Sequence, residues 1–148
     1  MARKAETTFI GSVHKHLPVG VYREKMNNPY RSGTADVWYS GKKDLWVEYK
    51  FLPTLPKRMD TFIKIDLSEN QKIWLRDRHR EGRNVAVICG CKAGGVVFNG
   101  LSWDKPISNP EFTSRVITRQ ELAAWLLSMT GEVHHGTIEA ASRDSVNR

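Results

Sequence analysis

Between residues 33 and 51 the chain reads GTADVWYSGKKDLWVEYKF, two strand-like runs joined by the turn residues Gly41-Lys42-Lys43-Asp44. In the second run the two-residue period puts Glu48 and Lys50 on one face and Val47, Tyr49 and Phe51 on the other. The turn brings Asp36, on the preceding run, close to that charged face. Strand interiors disfavour Asp, and a buried charge is costly unless it is paired or bound to a metal. A fold built on this hairpin must therefore leave the three charges on a solvent-facing edge or use them for chemistry.

The elements around the hairpin have clear signals. Phe9, Ile10, Val13 and Leu17 recur at helical spacing, so a helix is expected over 6–17, ended by Pro18 and Gly20. Glu6 then lies on or beside the apolar face, although an acid in the first turn is also favoured by the helix dipole without any chemistry. A strand is expected over 21–26, followed by the loop NNPYRSG, and the hairpin supplies strands over 35–40 and 45–51. The connection over 52–66 is long, Pro-interrupted and basic, as in a functional or mobile loop. Ser68 and Gln71 have capping-box spacing at the start of a second helix, and Gly82 is placed to end it. An apolar strand over 84–89 turns at Gly94-Gly95 into a strand over 96–98. Thr118 and Glu121 open a last helix containing Leu122, Trp125, Leu126 and Met129. The order is that of an α/β domain over 1–130, a mixed central sheet flanked by helices, with a polar tail over 131–148.

At 148 residues one domain with a proper core is expected, and a net charge of +7 with a sequence pI near 9.6 suits a polyanionic partner. The two cysteines, Cys89 and Cys91, cannot make a four-ligand zinc site and read as reduced residues near a strand end. With no signal peptide and no long apolar run, a cytoplasmic setting without membrane is expected. His14 and His16 point to different helix faces and read as surface residues, as does the pair His134-His135 in the tail. Trp74 and Trp125 have core spacing and are not assigned to base stacking.

Two carboxylates converging from adjacent strands form a hard oxygen site suited to magnesium, which keeps several waters and uses one or two protein carboxylates. A lysine beside them can stabilise developing negative charge or help position a water nucleophile. Against this, an E-x-K in a strand is commonly a solvated ion pair.

Gly33-Thr-Ala-Asp36 followed by Val47-Glu48-Tyr49-Lys50 resembles the signature of the PD-(D/E)xK nuclease superfamily, with a restriction-endonuclease-like core. Leu67-Ser68-Glu69-Asn70-Gln71, Gly82 and the strand from Asn84 are similar to its virus-type replication-repair (VRR-NUC) branch. The helix bearing Glu6 resembles the acidic first helix of phage and archaeal Holliday-junction resolvases. The resemblance covers about residues 6–88, and Ala35 stands where the signature usually has proline. It implies that Asp36, Glu48 and the carbonyl of Tyr49 hold Mg²⁺, with Mn²⁺ able to substitute. Glu6 would bind a second metal or orient a metal-bound water, and Lys50 would act on the nucleophile or the transition-state charge. Gln71 would line the site; its capping role with Ser68 accounts for it equally well.

The expected activity is magnesium-dependent DNA endonucleolysis, structure-selective on branched DNA, as in junction resolvases and phage-encoded nucleases. Nonspecific, flap or nicking cleavage and a catalytically silent DNA-binding module are the alternatives. Arg31, Lys42, Lys43, Lys57, Arg58 and Arg76 are candidate phosphate contacts, with Tyr30 beside Arg31 in an ordinary loop role or stacking at a branch. Paired cuts across a symmetric junction imply a homodimer, for which the first helix and the residues after Gly100 offer apolar surface.

Overall fold

The computed structural model describes residues 2–26 and 32–131. In chain order it has α1 (Ala2–His14), β1 (Tyr22–Lys25), β2 (Val37–Ser40), β3 (Asp44–Phe51), β4 (Phe62–Ile63) and α2 (Glu69–Arg80). These are followed by β5 (Val85–Cys91), β6 (Gly94–Asn99), β7 (Ile107–Ser108), α3 (Asn109–Arg115) and α4 (Arg119–Thr130). The main sheet has the order β1-β2-β3-β5-β6, parallel between β3 and β5 and antiparallel elsewhere. This is the expected mixed sheet flanked by helices.

Side-chain alternation divides the core between the two sheet faces. Leu45, Val47 and Tyr49 of β3 join Ile88 of β5 beneath α1 and α4, packed on Phe9, Ile10, Val13, Leu122 and Leu126. Val85, Val87 and Cys89 of β5 face the other way, toward Leu75 of α2 and Phe112 of α3. Glu48 and Lys50 share this second face, because they alternate with Val47 and Tyr49. Parallel β3 and β5 require a crossover, which is made by α2. Ser68 and Gln71 form the expected capping box, and Gly82, at φ +88°, follows the helix C-terminus as a left-handed residue.

Several expectations need correction. The first helix starts at Ala2, so Glu6 is past the first turn and dipole stabilisation of a first-turn acid does not explain it. Segment 52–66 is not a free loop. Phe62 and Ile63 pair with Ser108 and Ile107, and the Asn109 amide donates to the carbonyls of Pro56 and Arg58 at 2.8 and 3.0 Å. The β5–β6 turn lies at Lys92-Ala93, and Gly94 and Gly95 belong to β6. Helix α3 is not among the expected elements; Pro110 suits its first turn, and Ser108 caps it by accepting from Glu111 N–H.

His14 is half-buried, not a surface residue: its Nε2 lies 2.7 Å from the Tyr39 hydroxyl. Of the apolar residues expected to offer dimer surface, Phe9 and Val13 of α1 and Phe112 and Leu122 after Gly100 are buried in the core, whereas Trp125 and Leu127 are partly exposed. The tail from residue 132, with His134 and His135, lies outside the described residues. Among the described residues no helix is long and apolar enough to cross a membrane.

Candidate active site

The site forms where β2 stops and β3 continues. The β2–β3 register ends with Val37 opposite Val47, and one step further Asp36 faces Glu48. There the chain bends away, and Met26 N–H donates to the Asp36 carbonyl at 2.8 Å. Tyr49 N–H, left without a main-chain partner on β2, donates to Asp36 Oδ2 at 2.9 Å. Gly33 permits this path: at φ +95° it lies so close to α2 that a Cβ would be 2.5 Å from the Asn70 carbonyl oxygen. Asn70 Nδ2 also donates to Ser32 Oγ at 2.5 Å, tying the approach to Asp36 onto the start of α2.

Glu48 is 2% exposed, in the middle of the sheet. Its Oε2 accepts from Gln71 Nε2 at 2.8 Å and lies 3.9 Å from Lys50 Nζ. Its Oε1 is buried with no hydrogen-bond donor among the described residues. The Asp36 carboxyl is close enough for its charge to act on Glu48. Two carboxyl groups so close need a proton or a cation between them. Burial, then the Asp36 charge, pushes the Glu48 carboxyl up to about 9; Lys50 opposes this and the Glu6 charge adds to it. Asp36 is also raised, by burial, against the Tyr49 N–H bond.

These features fit a hard cation. An orphaned buried carboxylate oxygen beside a second carboxylate loses its penalty when a divalent ion replaces the proton. Along β3, Trp46 and Leu52 donate main-chain bonds to the β5 side, to Asn84 and Gly90. By alternation the Tyr49 N–H and carbonyl both face the β2 side, where Asp36 lies. Asp36, Glu48 and this carbonyl are thus the groups that could hold Mg²⁺. Among the described residues no group of three His, Cys, Asp or Glu is arranged for a metal, so water must complete any such shell.

Gln71 resolves the alternative posed by its sequence. Its Oε1 accepts from Ser68 N–H at 2.9 Å while its Nε2 holds Glu48, so one amide caps α2 and lines the site at once. Glu6, half-buried on α1, is near enough for its charge to act on Glu48. Asp36, Glu48, Lys50 and Gln71 therefore converge, with Glu6 near enough to act on them through its charge.

The basic residues do not gather around them as a group. Lys42 and Lys43 sit in the β2–β3 turn, at the opposite end of β3 from Glu48, roughly 15–20 Å away at about 3.3 Å per residue. Arg76 is paired with Asp104 at 3.0 Å and lies over the Trp103 ring. Lys57 and Arg58 belong to the segment leaving the Lys50 end of β3, and Arg58 pairs with Asp60 at 2.8 Å. Arg31 and Tyr30 lie outside the described residues. Trp74 is half-buried against Trp46.

Sequence reasoning missed a buried polar chain behind the site. His14 meets the Tyr39 hydroxyl, which lies 2.6 Å from the Tyr49 hydroxyl. The available signal was the spacing of Ile10 and His14, which puts the histidine on the apolar stripe of α1.

The fold is a mixed five-stranded sheet flanked by helices. Among solved structures it matches Archaeoglobus fulgidus Hjc, a Holliday junction resolvase from an archaeal hyperthermophile, at a TM-score of 0.51. The match covers 81% of this chain and 96% of that chain at 15% sequence identity, a likeness of fold. No family model matches the sequence, and no curated protein does.

Proposed function

We propose that the chain is a metal-dependent DNA endonuclease acting on branched DNA, with Mg²⁺ as its ion and Mn²⁺ able to replace it. The observation that carries this reading is the buried Glu48 Oε1, without a donor among the described residues and on a carboxyl that feels the Asp36 charge, on a fold shared with a junction resolvase. An ion held by Asp36, Glu48 and the Tyr49 carbonyl would supply Lewis-acid stabilisation of phosphodiester charge and an activated water.

The chain's own groups have separable tasks. Gln71 fixes the Glu48 carboxylate from α2, and Tyr49 N–H fixes Asp36 from β3. Lys50, 3.9 Å from Glu48 and partly open to solvent, can meet the nucleophile or the phosphoryl charge that grows in the transition state. Glu6 would bind a second ion or orient the attacking water. The Ser68–Gln71 helix start supports the narrower likeness to VRR-NUC nucleases, the likeness that also suggests a phage-encoded enzyme.

Two opposed incisions in a four-way junction require two such sites, and hence a homodimer. The decisive experiment compares cleavage of four-way junction, flap, single-stranded and linear duplex DNA in Mg²⁺ and in EDTA. The expected result is Mg²⁺-dependent cleavage fastest on the junction. Equal rates on junction and linear duplex would leave a nuclease without structural preference, and no cleavage of any substrate would reject the enzyme.

A further inference from the structure

Segment 52–66 leaves β3 two residues after Lys50 and returns to Ser68 and Gln71, so both its ends are fixed at the site. Between them it forms a ribbon with two large apolar side chains in solvent, Met59 at 67% and Phe62 at 64% exposure. The ribbon is ordered by its own bonds. Thr61 N–H closes a turn onto the Arg58 carbonyl at 3.3 Å, and Asn109 N–H donates to the Thr61 carbonyl at 3.0 Å. The buried Asn109 amide holds the Pro56 and Arg58 carbonyls, and β4 pairs with β7. Met59 is therefore held at the tip of a turn, and Phe62 faces outward because its neighbour Ile63 is buried.

Two large apolar side chains three residues apart, both exposed on a braced ribbon, are suited to contact with something else. The surrounding charge selects the partner. Asp60 lies between the pair but is held by Arg58 at 2.8 Å, while Lys57 and Lys64 flank them and make no ion pair among the described residues. A second copy packed symmetrically on this ribbon would oppose lysine with lysine, whereas a phosphate backbone complements them.

We infer that Met59 and Phe62 form a wedge that packs against unstacked base pairs at the branch point of a DNA substrate, with Lys57 and Lys64 on the adjoining phosphates. The inference rests on the proposed DNA-directed function and adds a specificity-determining element to it. Apolar side chains inserted at a base step must repay its unstacking, and that cost is least where stacking is already interrupted. The wedge therefore favours a branch over a continuous duplex, and it acts beside the carboxylates that would cut there.

The test uses a four-way junction of synthetic oligonucleotides with 2-aminopurine at the branch, titrated with the full chain in EDTA, and a linear duplex of the same length. Both positions of the Met59→Ser, Phe62→Ser double variant are largely exposed, so it should fold as the parent does, checked by circular dichroism and thermal unfolding. The parent should raise the 2-aminopurine emission and prefer the junction. The variant should lose that rise and at least about tenfold of the preference, the size of one lost base-stacking contact, with linear-duplex affinity unchanged. A variant that keeps both the rise and the preference overturns the wedge while leaving DNA binding intact. Loss of preference together with conversion of a dimer to a monomer, read by sedimentation, assigns the ribbon to a second copy and overturns it too. Absence of binding to any DNA by the parent removes both the wedge and the function on which it rests.

Discussion

Gln71 holds Glu48 through its Nε2 at 2.8 Å while its Oε1 accepts the Ser68 N–H that begins the same helix. Helix initiation and carboxylate orientation are therefore coupled through one side chain. Gln71→Ala should lose about 1 kcal/mol of stability, as for a lost cap interaction, and reduce cleavage by about tenfold or more. Ser68→Ala should cost similar stability while leaving Gln71 against Glu48, and so reduce cleavage much less. Equal activity losses in the two variants would mean that Gln71 acts only as a cap.

Removing either carboxylate should separate metal use from DNA binding. Asp36→Ala and Glu48→Ala each delete half of a two-carboxylate site, and the expected outcome is loss of Mg²⁺-dependent cleavage with junction affinity in EDTA largely kept. Gel-shift and cleavage assays on the same DNA check this. Lys50→Ala should lower turnover far more than affinity. A matched loss of both would make Lys50 a phosphate anchor.

The buried carboxyl also predicts a pH dependence of stability in the absence of metal. Burial lifts Glu48 from 4.5 to about 9, so the folded chain keeps a proton that the unfolded chain has released. That contribution is whole below about pH 4.5 and is lost as pH rises toward 9, by up to ~1.4 kcal/mol per pH unit. Asp36, raised by burial, acts in the same sense. His14 acts oppositely in a lower window: burial lowers it from 6.5 to about 4, so its contribution is lost as pH falls from 6.5 toward 4. Between pH 6.5 and 9 the carboxyl pair governs. Denaturant unfolding in EDTA should weaken with pH across that range, and Glu48→Gln should flatten the trend. Mg²⁺ should stabilise the parent more at pH 8.5 than at pH 6.5, because the ion replaces the proton.

Much of the fold was legible because its local signals agree with its packing. The alternation over Val47–Phe51, the capping boxes at Ser68 and Thr118 and the apolar run of β5 each specify an element and its buried face. The pairing of Asp36 with Glu48 was legible for the same reason, since a hairpin fixes its register. What escaped depends on contacts remote in sequence. Asn109 braces residues about fifty positions earlier, β4 and β7 are two residues each, and neither has a period to read. His14 was misread because its partner, Tyr39, comes from β2 across the core.

The separation of the basic residues gives the last prediction. Lys57 and Arg58 lie on the ribbon joined to the site, while Lys42 and Lys43 occupy the far end of β3. A junction engaged by the Met59–Phe62 ribbon lies beside Lys57 and Arg58. Replacing Lys57 and Arg58 together should flatten the plot of log affinity against log salt by up to two phosphate contacts' worth, at about −0.9 per contact on duplex DNA. Arg58 is already paired with Asp60, so the change should approach one contact if that pair survives binding. Replacing Lys42 and Lys43 should leave the slope unchanged on a junction with arms too short to reach the far turn, and lower it only as the arms lengthen. If the short-armed junction instead responds to Lys42 and Lys43 and ignores Lys57 and Arg58, DNA approaches from the hairpin turn, and Met59 and Phe62 point away from it.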